Sequence, residues 1–422
     1  MKHSNRLWRR FAAAYAANIS ADRLVDLTVP LIALVASGDL AIAGIYLASA
    51  SAGKMAVGPF LSSTVQRHAH LYWTSIANMI QGVALAVFAV SVVSDFVPVL
   101  LVTGIGLIAG CGSGLFSMVS QATVRAIVQK RYYFKANAHL EIIDSLFTLV
   151  IPLTAGILAD TLGAGFGIGL AAALLSGAAA LRWGMPPTSS SGSRGRHRPA
   201  ALAATCRQDC LNGTRILGLP FQGRIRRMIS IHMLVLATLG SLLIPVATYR
   251  IHDLGGSGTS TGIAISAAGA GGLLAAWLAG RFAKLTSNTV LSCILLVISV
   301  SAVPLMMYAP SVIIVAACVF VCDALASWLY VSLPSYRMAS ESESLLVDVS
   351  SGMLTVSSFL GVMSGLLLSW FGQAPEIYML TFAVAVISIT SALVSFCTGR
   401  PQQLEVMLHD AQEEGHVRDY DS

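Results

Sequence analysis

Three charged residues stand close together in an apolar stretch near the start of the chain: Asp22, Arg23 and Asp26, within the run AANISADRLVDLTVP. Asp22 and Asp26 are four residues apart, so on a helix they share one face. Two neighbouring carboxylates in an apolar setting are not both expected to stay ionised. The spacing therefore predicts proton uptake, with Arg23 setting the charge balance. The alternative is a buried salt-bridge cluster that fixes helix packing.

Lys54 and Asp323 are two further charged residues that we expect near these acids. At about 1.5 Å of rise per residue, each lies about 14–15 Å from the end of its own predicted helix. Asp22 lies about 16 Å from the start of the first predicted helix, which is at the same end of the bundle. Acids and bases at one depth inside an apolar bundle mark a functional site by default. We therefore predict a charged site that couples protons and lines a substrate cavity, formed by Asp22, Arg23, Asp26, Lys54 and Asp323.

The composition explains why these charges are unusual. The chain has 422 residues, of which 55% are hydrophobic and only 11% are charged, and its mean hydropathy is +0.75. Soluble domains carry about 25% charged residues, and a bilayer-spanning helix needs about 20 mostly apolar residues. Apolar stretches of that length recur along the whole chain. We therefore predict an all-α membrane protein.

Hydropathy predicts twelve membrane-spanning helices. They cover approximately residues 11–36, 40–63, 71–94, 97–121, 139–160, 162–183, 228–250, 259–281, 287–308, 310–333, 346–370 and 375–398. One long connection contains the run PPTSSSGSRGRHRP, whose composition cannot bury a core. The predicted organisation is an N-terminal six-helix bundle (1–183), a cytoplasmic linker (184–227), a C-terminal six-helix bundle (228–398) and an acidic cytoplasmic tail (399–422).

Lysine and arginine set the expected orientation of these helices. With the N-terminus in the cytoplasm, nearly all of the 26 Lys and Arg fall on the cytoplasmic side, which is the positive-inside pattern. Topology thus accounts for the formal net charge of +6, and no nucleic-acid partner is predicted. Both termini are expected in the cytoplasm.

The motifs argue against a metal site, a nucleotide site and an enzyme. Most of the seven cysteines lie in apolar stretches, where a thiol behaves as a small hydrophobe. Cys206 and Cys210 have no second pair of His or Cys to complete a metal site. The chain has no G-x-x-x-x-G-K-[ST] loop for a nucleoside triphosphate, and no nucleophile–base motif stands out. We expect no cofactor and no catalytic residues.

Two stretches resemble the signature motif of the Major Facilitator Superfamily of transporters, G-x-L-x-D-R-x-G-R-R. Between the second and third predicted spans, SSTVQRHAHL retains Arg67 and has Gln66 in place of the acid. After the eighth span, the stretch AWLAGRFAKL retains Arg281 and Lys284. The resemblance covers nearly all of the chain, because the twelve spans and the long central linker are also typical of that family.

Further stretches resemble one branch of the superfamily. IPLTAGIL in the fifth span is similar to the antiporter motif of drug-efflux members, with Ile151 in place of its usual glycine. Within it, Pro152 and Gly156 are expected to let the helix bend during rocking motions. The segments GTRILGLPFQGRIRRMI and LGGSGTSTGIAISAAGAGGLLAAWLAGR look most like macrolide, multidrug and siderophore exporters.

The resemblance implies two pseudo-symmetric six-helix bundles that rock about a central cavity. By family geometry, the start of span eleven lies near the loop between spans two and three, and span five lies near the loop between spans eight and nine. We therefore predict cytoplasmic gate contacts between Asp348 and Arg67, and between Glu141 or Asp144 and Arg281. The alternative is that these acids only favour helix N-termini through the macrodipole.

These observations predict a secondary active transporter of a bacterial cell inner membrane. It is expected to export an amphiphilic small molecule, drug-like or a siderophore, by proton antiport with alternating access. The predicted partners are the substrate, protons and the lipid bilayer, with no obligate protein partner. One alternative is an importer of a small anionic nutrient or metabolite by proton symport, with Lys54 and Arg23 as anion anchors. Another is a membrane sensor or scaffold that transports nothing.

Overall fold

The computed structural model describes residues 2–37, 40–67, 70–94, 98–128, 133–183, 217–281, 289–340, 343–371 and 381–391. These residues form twelve helices of more than ten residues: α1 Lys2–Ser37, α2 Ala41–Arg67, α3 His70–Val93, α4 Val99–Ile127, α5 Tyr133–Thr161, α6 Ala164–Arg182, α7 Arg224–Asp253, α8 Gly258–Arg281, α9 Thr289–Met307, α10 Val312–Ser340, α11 Glu343–Phe371 and α12 Thr381–Ser391. A 3₁₀ turn, Leu219–Phe221, precedes α7. Each helix overlaps one of the spans predicted from hydropathy.

Eight of the described helices are long and apolar enough to cross a membrane: α3, α4, α5, α6, α7, α8, α10 and α11. Helix α1 is not among them, and three charged residues, Asp22, Arg23 and Asp26, stand in its middle. Helices α2, α9 and α12 contribute the shorter apolar stretches Ala41–Val57, Leu291–Met307 and Thr381–Ser391. The described part of the chain is therefore all-helical and mostly suited to a bilayer.

The outward face of α3 illustrates how these helices meet lipid. Met79, Ile80, Val83 and Val87 are each more than half exposed. Such a row of exposed apolar side chains is unfavourable in water and favourable in hydrocarbon. Between such faces, hydroxyl groups bond to their own helix: Thr103 donates to the carbonyl of Val99 over 2.8 Å. In this way, the hydroxyl of Thr103 is satisfied without water.

Two seams join α1–α6 to the later helices, because α5 packs along α8 and α2 packs along α11. Glycines allow these backbones to touch. A methyl group on Gly365 of α11 would meet the backbone of Ala48 and the carbonyl of Gly44 on α2, and one on Gly156 of α5 would meet the carbonyl of Gly258 on α8. The seams hold α1, α2 and α5 against α7, α8, α10 and α11, and the candidate site lies among these helices.

Candidate functional site

A cavity of about 340 Å³ lies among α1, α2, α4, α7 and α11, within the range of small-molecule sites. Its charged lining consists of Arg23, Asp26 and Lys54. The hydroxyl-bearing lining comprises Tyr46, Ser51, Ser117, Ser241, Ser357 and Ser358. The larger apolar lining residues include Val29, Pro30, Leu47, Ile244 and Pro245. The cavity is therefore amphiphilic, with charged, hydroxyl and apolar surfaces.

Arg23 of α1 forms an ion pair with Asp144 of α5. Its Nη2 lies 2.9 Å from Oδ1 and 3.1 Å from Oδ2 of Asp144, and its Nε donates to Oδ1 over 3.3 Å. Asp26 lies one turn further along α1, with Oδ2 3.8 Å from Nη1 of Arg23. One guanidinium thus stands between two carboxylates, and its pair with Asp144 links α1 to α5.

Asp22 lies one turn before Asp26 and does not line the cavity. Asn18 donates a hydrogen bond from Nδ2 to Oδ2 of Asp22 over 3.4 Å. Lys54, Asp26 and Arg23 are the charges that act most strongly on the Asp22 carboxylate. Asp22 is therefore a partly buried neighbour of the cavity, within reach of its charges.

Arg182, at the end of α6, is a buried cation, although by the positive-inside pattern it is one of the many Lys and Arg expected on the cytoplasmic side. It is 2% exposed, and its Nη2 donates to the carbonyl of Ala14 over 3.3 Å. Its guanidinium carbon lies 4.8 Å from the centroid of the Phe116 ring, a cation–π contact. Asp22 is the acid whose charge acts on it. Arg182 therefore belongs to the same charge network as the cavity.

A second polar group lies where α5, α8 and α10 meet. A methyl group on Gly272 of α8 would lie 3.0 Å from both Asp323 Oδ2 and Ser327 Oγ, and 2.5 Å from Ser145 Oγ. Ser327 is also hydrogen-bonded to Glu141 of α5. The lack of a side chain at Gly272 thus lets polar groups of α5 and α10 converge against α8.

Arg23 connects the two polar groups electrostatically. Asp144, Asp26 and Asp323 are the carboxylates that act on its guanidinium. Among the described residues the network contains five carboxylates, Asp22, Asp26, Glu141, Asp144 and Asp323, and three cations, Arg23, Lys54 and Arg182. When all are ionised, two carboxylates have no cation to balance them.

The predicted site residues therefore occupy two positions. Arg23, Asp26 and Lys54 line the cavity. Asp22 and Asp323 do not line it: the first accepts a hydrogen bond from Asn18, and the second lies beside Gly272 of α8. Their roles in proton coupling and substrate binding stay predictions.

The predicted gate residues fall partly outside the described residues. The backbones of Arg67, Arg281 and Asp348 lie in α2, α8 and α11, but their side chains are outside the part that the structure describes. Asp144 is bonded to Arg23, and Glu141 belongs to the group around Ser327. The gate contacts of Arg67 with Asp348, and of Glu141 or Asp144 with Arg281, stay predictions.

Pro152 and Gly156 lie within α5, which is continuous from Tyr133 to Thr161. A methyl group on Gly262 of α8 would lie 2.5 Å from the carbonyl oxygen of Pro152, and Gly156 faces Gly258. Both residues thus lie in the seam between α5 and α8. Their role in helix bending stays a prediction.

Asp160 is a contact residue that sequence reasoning missed. Its Oδ2 accepts hydrogen bonds from the backbone N–H of Thr259 over 2.8 Å and from the Thr259 hydroxyl over 2.6 Å, and Oδ1 accepts from the N–H of Gly258 over 3.1 Å. The first N–H groups of a helix lack intrahelical partners, so Asp160 of α5 caps α8. The sequence does not show which residue an acid near the end of a span will contact, so this bond could not be predicted. The first turn of α8, GTST, contains no acid that could cap the helix itself.

Comparisons with known proteins agree with this architecture. Residues 11–342 match the sequence model of the Major Facilitator Superfamily, whereas no curated protein sequence gives a significant match. The crystal structure of the human organic anion transporter MFSD10 (TETRAN) is similar with a TM-score of 0.67 and 14% identity, covering 92% of this chain and 99% of that chain.

Two further solved structures have the same fold. The nucleoside transporter NupG aligns with a TM-score of 0.65 and 12% identity, over 93% of this chain and 100% of its own. A bacterial homologue of the iron transporter ferroportin, in an outward-facing state, aligns with a TM-score of 0.65 and 16% identity, over 93% of this chain and 99% of its own. At such identities, the likeness concerns the fold alone.

Proposed function

The chain belongs to the Major Facilitator Superfamily, and we propose that it is a secondary active transporter that exports an amphiphilic small molecule by proton antiport. We place it in a bacterial inner membrane with both termini in the cytoplasm, as the positive-inside pattern indicates. The substrate class is a drug-like compound or a siderophore. The multi-pass helical fold and its transporter neighbours support transport rather than enzymatic catalysis.

The proposed architecture is two six-helix bundles, residues 1–183 and 228–398, joined by a cytoplasmic linker at 184–227 and followed by a cytoplasmic tail at 399–422. The seams between α5 and α8 and between α2 and α11 support this division, because each joins one helix from either half. Internal repeats that meet at a central site are typical of secondary transporters. Rocking of the halves about the seams would expose the cavity to one side of the membrane at a time.

The excess of two carboxylates in the central network is the observation that carries the proposal of proton coupling. Asp22 and Asp26 share a face of α1, and Arg23 is already engaged by Asp144. Ionisation of every acid would leave uncompensated charge among the apolar helices, which is costly. Protons are the simplest ligands that remove this charge, and a cationic group of a substrate is the other.

Exchange follows when proton and substrate cannot occupy the network together. In the proposed cycle, Asp26 and Asp22 release protons when substrate enters the cavity from the cytoplasmic side, and take up protons again after it leaves on the other side. Asp323, like Asp26, acts on the guanidinium of Arg23. Coupling requires that protons and substrate favour different conformations. Free energy stored in the proton gradient then drives export.

Two gates are proposed. On the outer side, the cap of α8 by Asp160 holds the halves together when the cavity faces inward. On the cytoplasmic side, the pairs of Arg67 with Asp348, and of Arg281 with Glu141 or Asp144, would hold the halves together when the cavity faces outward. When the contacts of one gate form, those of the other gate must break.

Import by proton symport is the second candidate, and one observation favours it. Lys54 lines the cavity and forms no ion pair within 4 Å with any residue that the structure describes. It would therefore be able to receive an anionic nutrient or metabolite. A sensor or scaffold is less favoured, because a cavity with charged lining residues has no evident use in a protein that moves nothing.

Flux in everted membrane vesicles tests the proposal. The vesicles, made with and without the protein, receive an acidic interior and a panel of fluorescent amphiphiles, macrolides and siderophores. Export predicts accumulation inside the vesicles that disappears when nigericin collapses the gradient. Accumulation of a small anion in right-side-out vesicles with an acidic exterior would instead establish import. Absence of gradient-dependent flux for every compound would refute proton antiport.

A further inference from the structure

The charged end of the cavity offers one positive and one negative group to a ligand. Asp26 has a side chain that is 48% exposed, against 28% for Arg23 and 22% for Asp144. Arg23 is bonded to Asp144 through two nitrogens, so its charge is largely compensated. Lys54 forms no ion pair within 4 Å among the described residues. Asp26 and Lys54 are therefore the charges of the lining that a bound molecule would meet.

Ser358 of α11 adds an unsatisfied hydroxyl to this lining. It is 4% exposed, and its Oγ has no hydrogen-bond partner among the described residues. Its neighbour Ser357 also lines the cavity, but the hydroxyl of Ser357 donates to the carbonyl of Leu354 over 3.1 Å. An unsatisfied buried hydroxyl is costly, and a polar ligand in the cavity would remove that cost.

Part of the apolar lining lies to one side of these groups. Pro30 follows Asp26 by one turn of α1, which is about 6 Å. On the antiparallel helix α2, Leu47 precedes Lys54 by seven residues, which is about 10 Å in the same direction. Ile244 and Pro245 follow Ser241 along α7 and complete the apolar wall. The cavity thus has a charged end and an apolar end within the reach of one small molecule.

We propose that the cavity binds an amphoteric amphiphile, a molecule whose head carries a cation beside an anion and whose tail is apolar. The cation of the head would lie against Asp26, its anion against Lys54 and the Ser358 hydroxyl, and its tail between Pro30 and Pro245. This inference names the substrate class for the proposed export function and rests on it.

Charge compensation favours this class over its two simpler relatives. A purely cationic amphiphile would satisfy Asp26 but bring its charge towards Lys54. A purely anionic amphiphile would satisfy Lys54 but approach Asp26. Like charges brought together lower affinity, whereas a head with both charges meets a complementary group at each position.

Three fluorescent probes that differ only in the head group test the proposal. Nε-dansyl-lysine is amphoteric, monodansylcadaverine is the same chain without the carboxylate, and dansyl-aminohexanoate is the chain without the amine. Binding to the full-length protein in lipid nanodiscs is followed by dansyl fluorescence at pH 7 without a gradient. We expect the amphoteric probe to bind about tenfold more tightly than either relative.

Three variants assign the contacts. In Lys54→Gln, the amphoteric probe should no longer bind more tightly than monodansylcadaverine. In Asp26→Asn, it should no longer bind more tightly than dansyl-aminohexanoate. Ser358→Ala should weaken binding of the two carboxylate probes. The control Thr355→Ala, on the same helix, should leave all three affinities unchanged, because Thr355 is not a lining residue of the cavity and its hydroxyl donates to the carbonyl of Ser351 over 2.9 Å.

The proposal would be overturned by equal or tighter binding of either singly charged probe, or by an equal loss for all three probes in the Lys54 and Asp26 variants. Absence of binding by every probe would overturn it as well. Equilibrium binding requires no proton gradient, so these failures are distinct from a failure of gradient-dependent flux, which would refute export itself.

Discussion

Asp160 and Thr259, 99 residues apart in the chain, are joined by two hydrogen bonds, from the backbone N–H and the hydroxyl of Thr259 to the same carboxylate oxygen. The first residue lies in the last turn of α5 and the second in the first turn of α8, so the bonds connect the two halves of the chain. They lie at the end of the bundle opposite to the start of α1. A transporter that opens at this end must break them.

Asp160→Asn is expected to favour the outward-facing state. The amide weakens the cap of α8 by about 1 kcal/mol, or about fivefold in population, because charge-assisted hydrogen bonds are lost. Alkylation of a cysteine introduced at Ala43, which lines the cavity, should then be faster with a membrane-impermeant maleimide added from outside. Asp253→Asn is the control, since Asp253 pairs with Arg250 on its own helix. Equal rates in the two variants would contradict the role of Asp160 as a gate.

The ion pair of Arg23 and Asp144 is expected to stabilise the fold by joining α1 to α5. Removal of one partner, in Arg23→Gln or Asp144→Asn, leaves the other as a partly buried charge and should cost about 2 kcal/mol. The double variant should cost less than the sum of the two single variants, because no charge is then left alone. Unfolding temperatures of the four proteins in detergent measure the coupling. If the decreases in unfolding temperature of the two single variants add up in the double variant, the ion pair contributes nothing to the stability of the fold.

Asp22→Asn and Asp26→Asn are expected to reduce gradient-driven transport to the level of vesicles without the protein, because an amide cannot carry a proton. Expression and membrane insertion should remain unchanged. Proton release on substrate binding, followed with a pH indicator in weakly buffered detergent solution, should fall in whichever variant removes the coupling acid. Transport that survives both substitutions would favour the alternative of a structural salt-bridge cluster.

Gly365→Ala is expected to destabilise the seam between α2 and α11. The added methyl group would press on the backbone of Ala48 and Gly44, and overpacking of this kind costs about 1–3 kcal/mol. Gly177→Ala on α6 is the matched control, since a methyl group there meets no atom within 4 Å and favours the helix by about 1 kcal/mol. The unfolding temperature should fall in the first variant and stay level or rise in the second.

Charge reversal tests the predicted cytoplasmic gate. Arg67→Asp is expected to impair transport because it places two acids at the contact, and a second change, Asp348→Arg, should restore it with the charges exchanged. Flux in vesicles is the measurement, and protein abundance in the membrane is its control. Failure of the second change to restore flux would count against pairing of these residues.

Helix positions and the family could be predicted from the sequence because they depend on local composition. Runs of apolar residues predict spans, and each predicted span overlaps a described helix. Arg67 and Arg281 could be recognised because each belongs to a short motif whose residues are adjacent in the chain. Bilayer-spanning segments must satisfy their backbone within themselves, so each can be recognised without knowledge of its neighbours.

The proximity of charged residues was only partly predictable. Asp22 and Asp26 share a face through their spacing alone, and their depth suggested Lys54 as a neighbour. The partner of Arg23 was not predicted, because Asp144 lies 121 residues away. From the sequence, Arg182 was one more cytoplasmic charge, yet it is buried against Phe116, and Asp22 is the acid whose charge acts on it.

By itself, the sequence determined that the chain is a helical membrane protein with costly charges in its first helix, because hydropathy and helical periodicity act over a few turns. Only the tertiary structure decided that Arg23 bonds to Asp144, that Asp160 caps α8, and that Asp26, Lys54 and Ser358 face one cavity. Lipid and protein interior are about equally apolar, so hydropathy does not distinguish the face of a helix that meets a neighbour from the face that meets lipid. Packing of distant helices makes that choice, and the candidate site is its result.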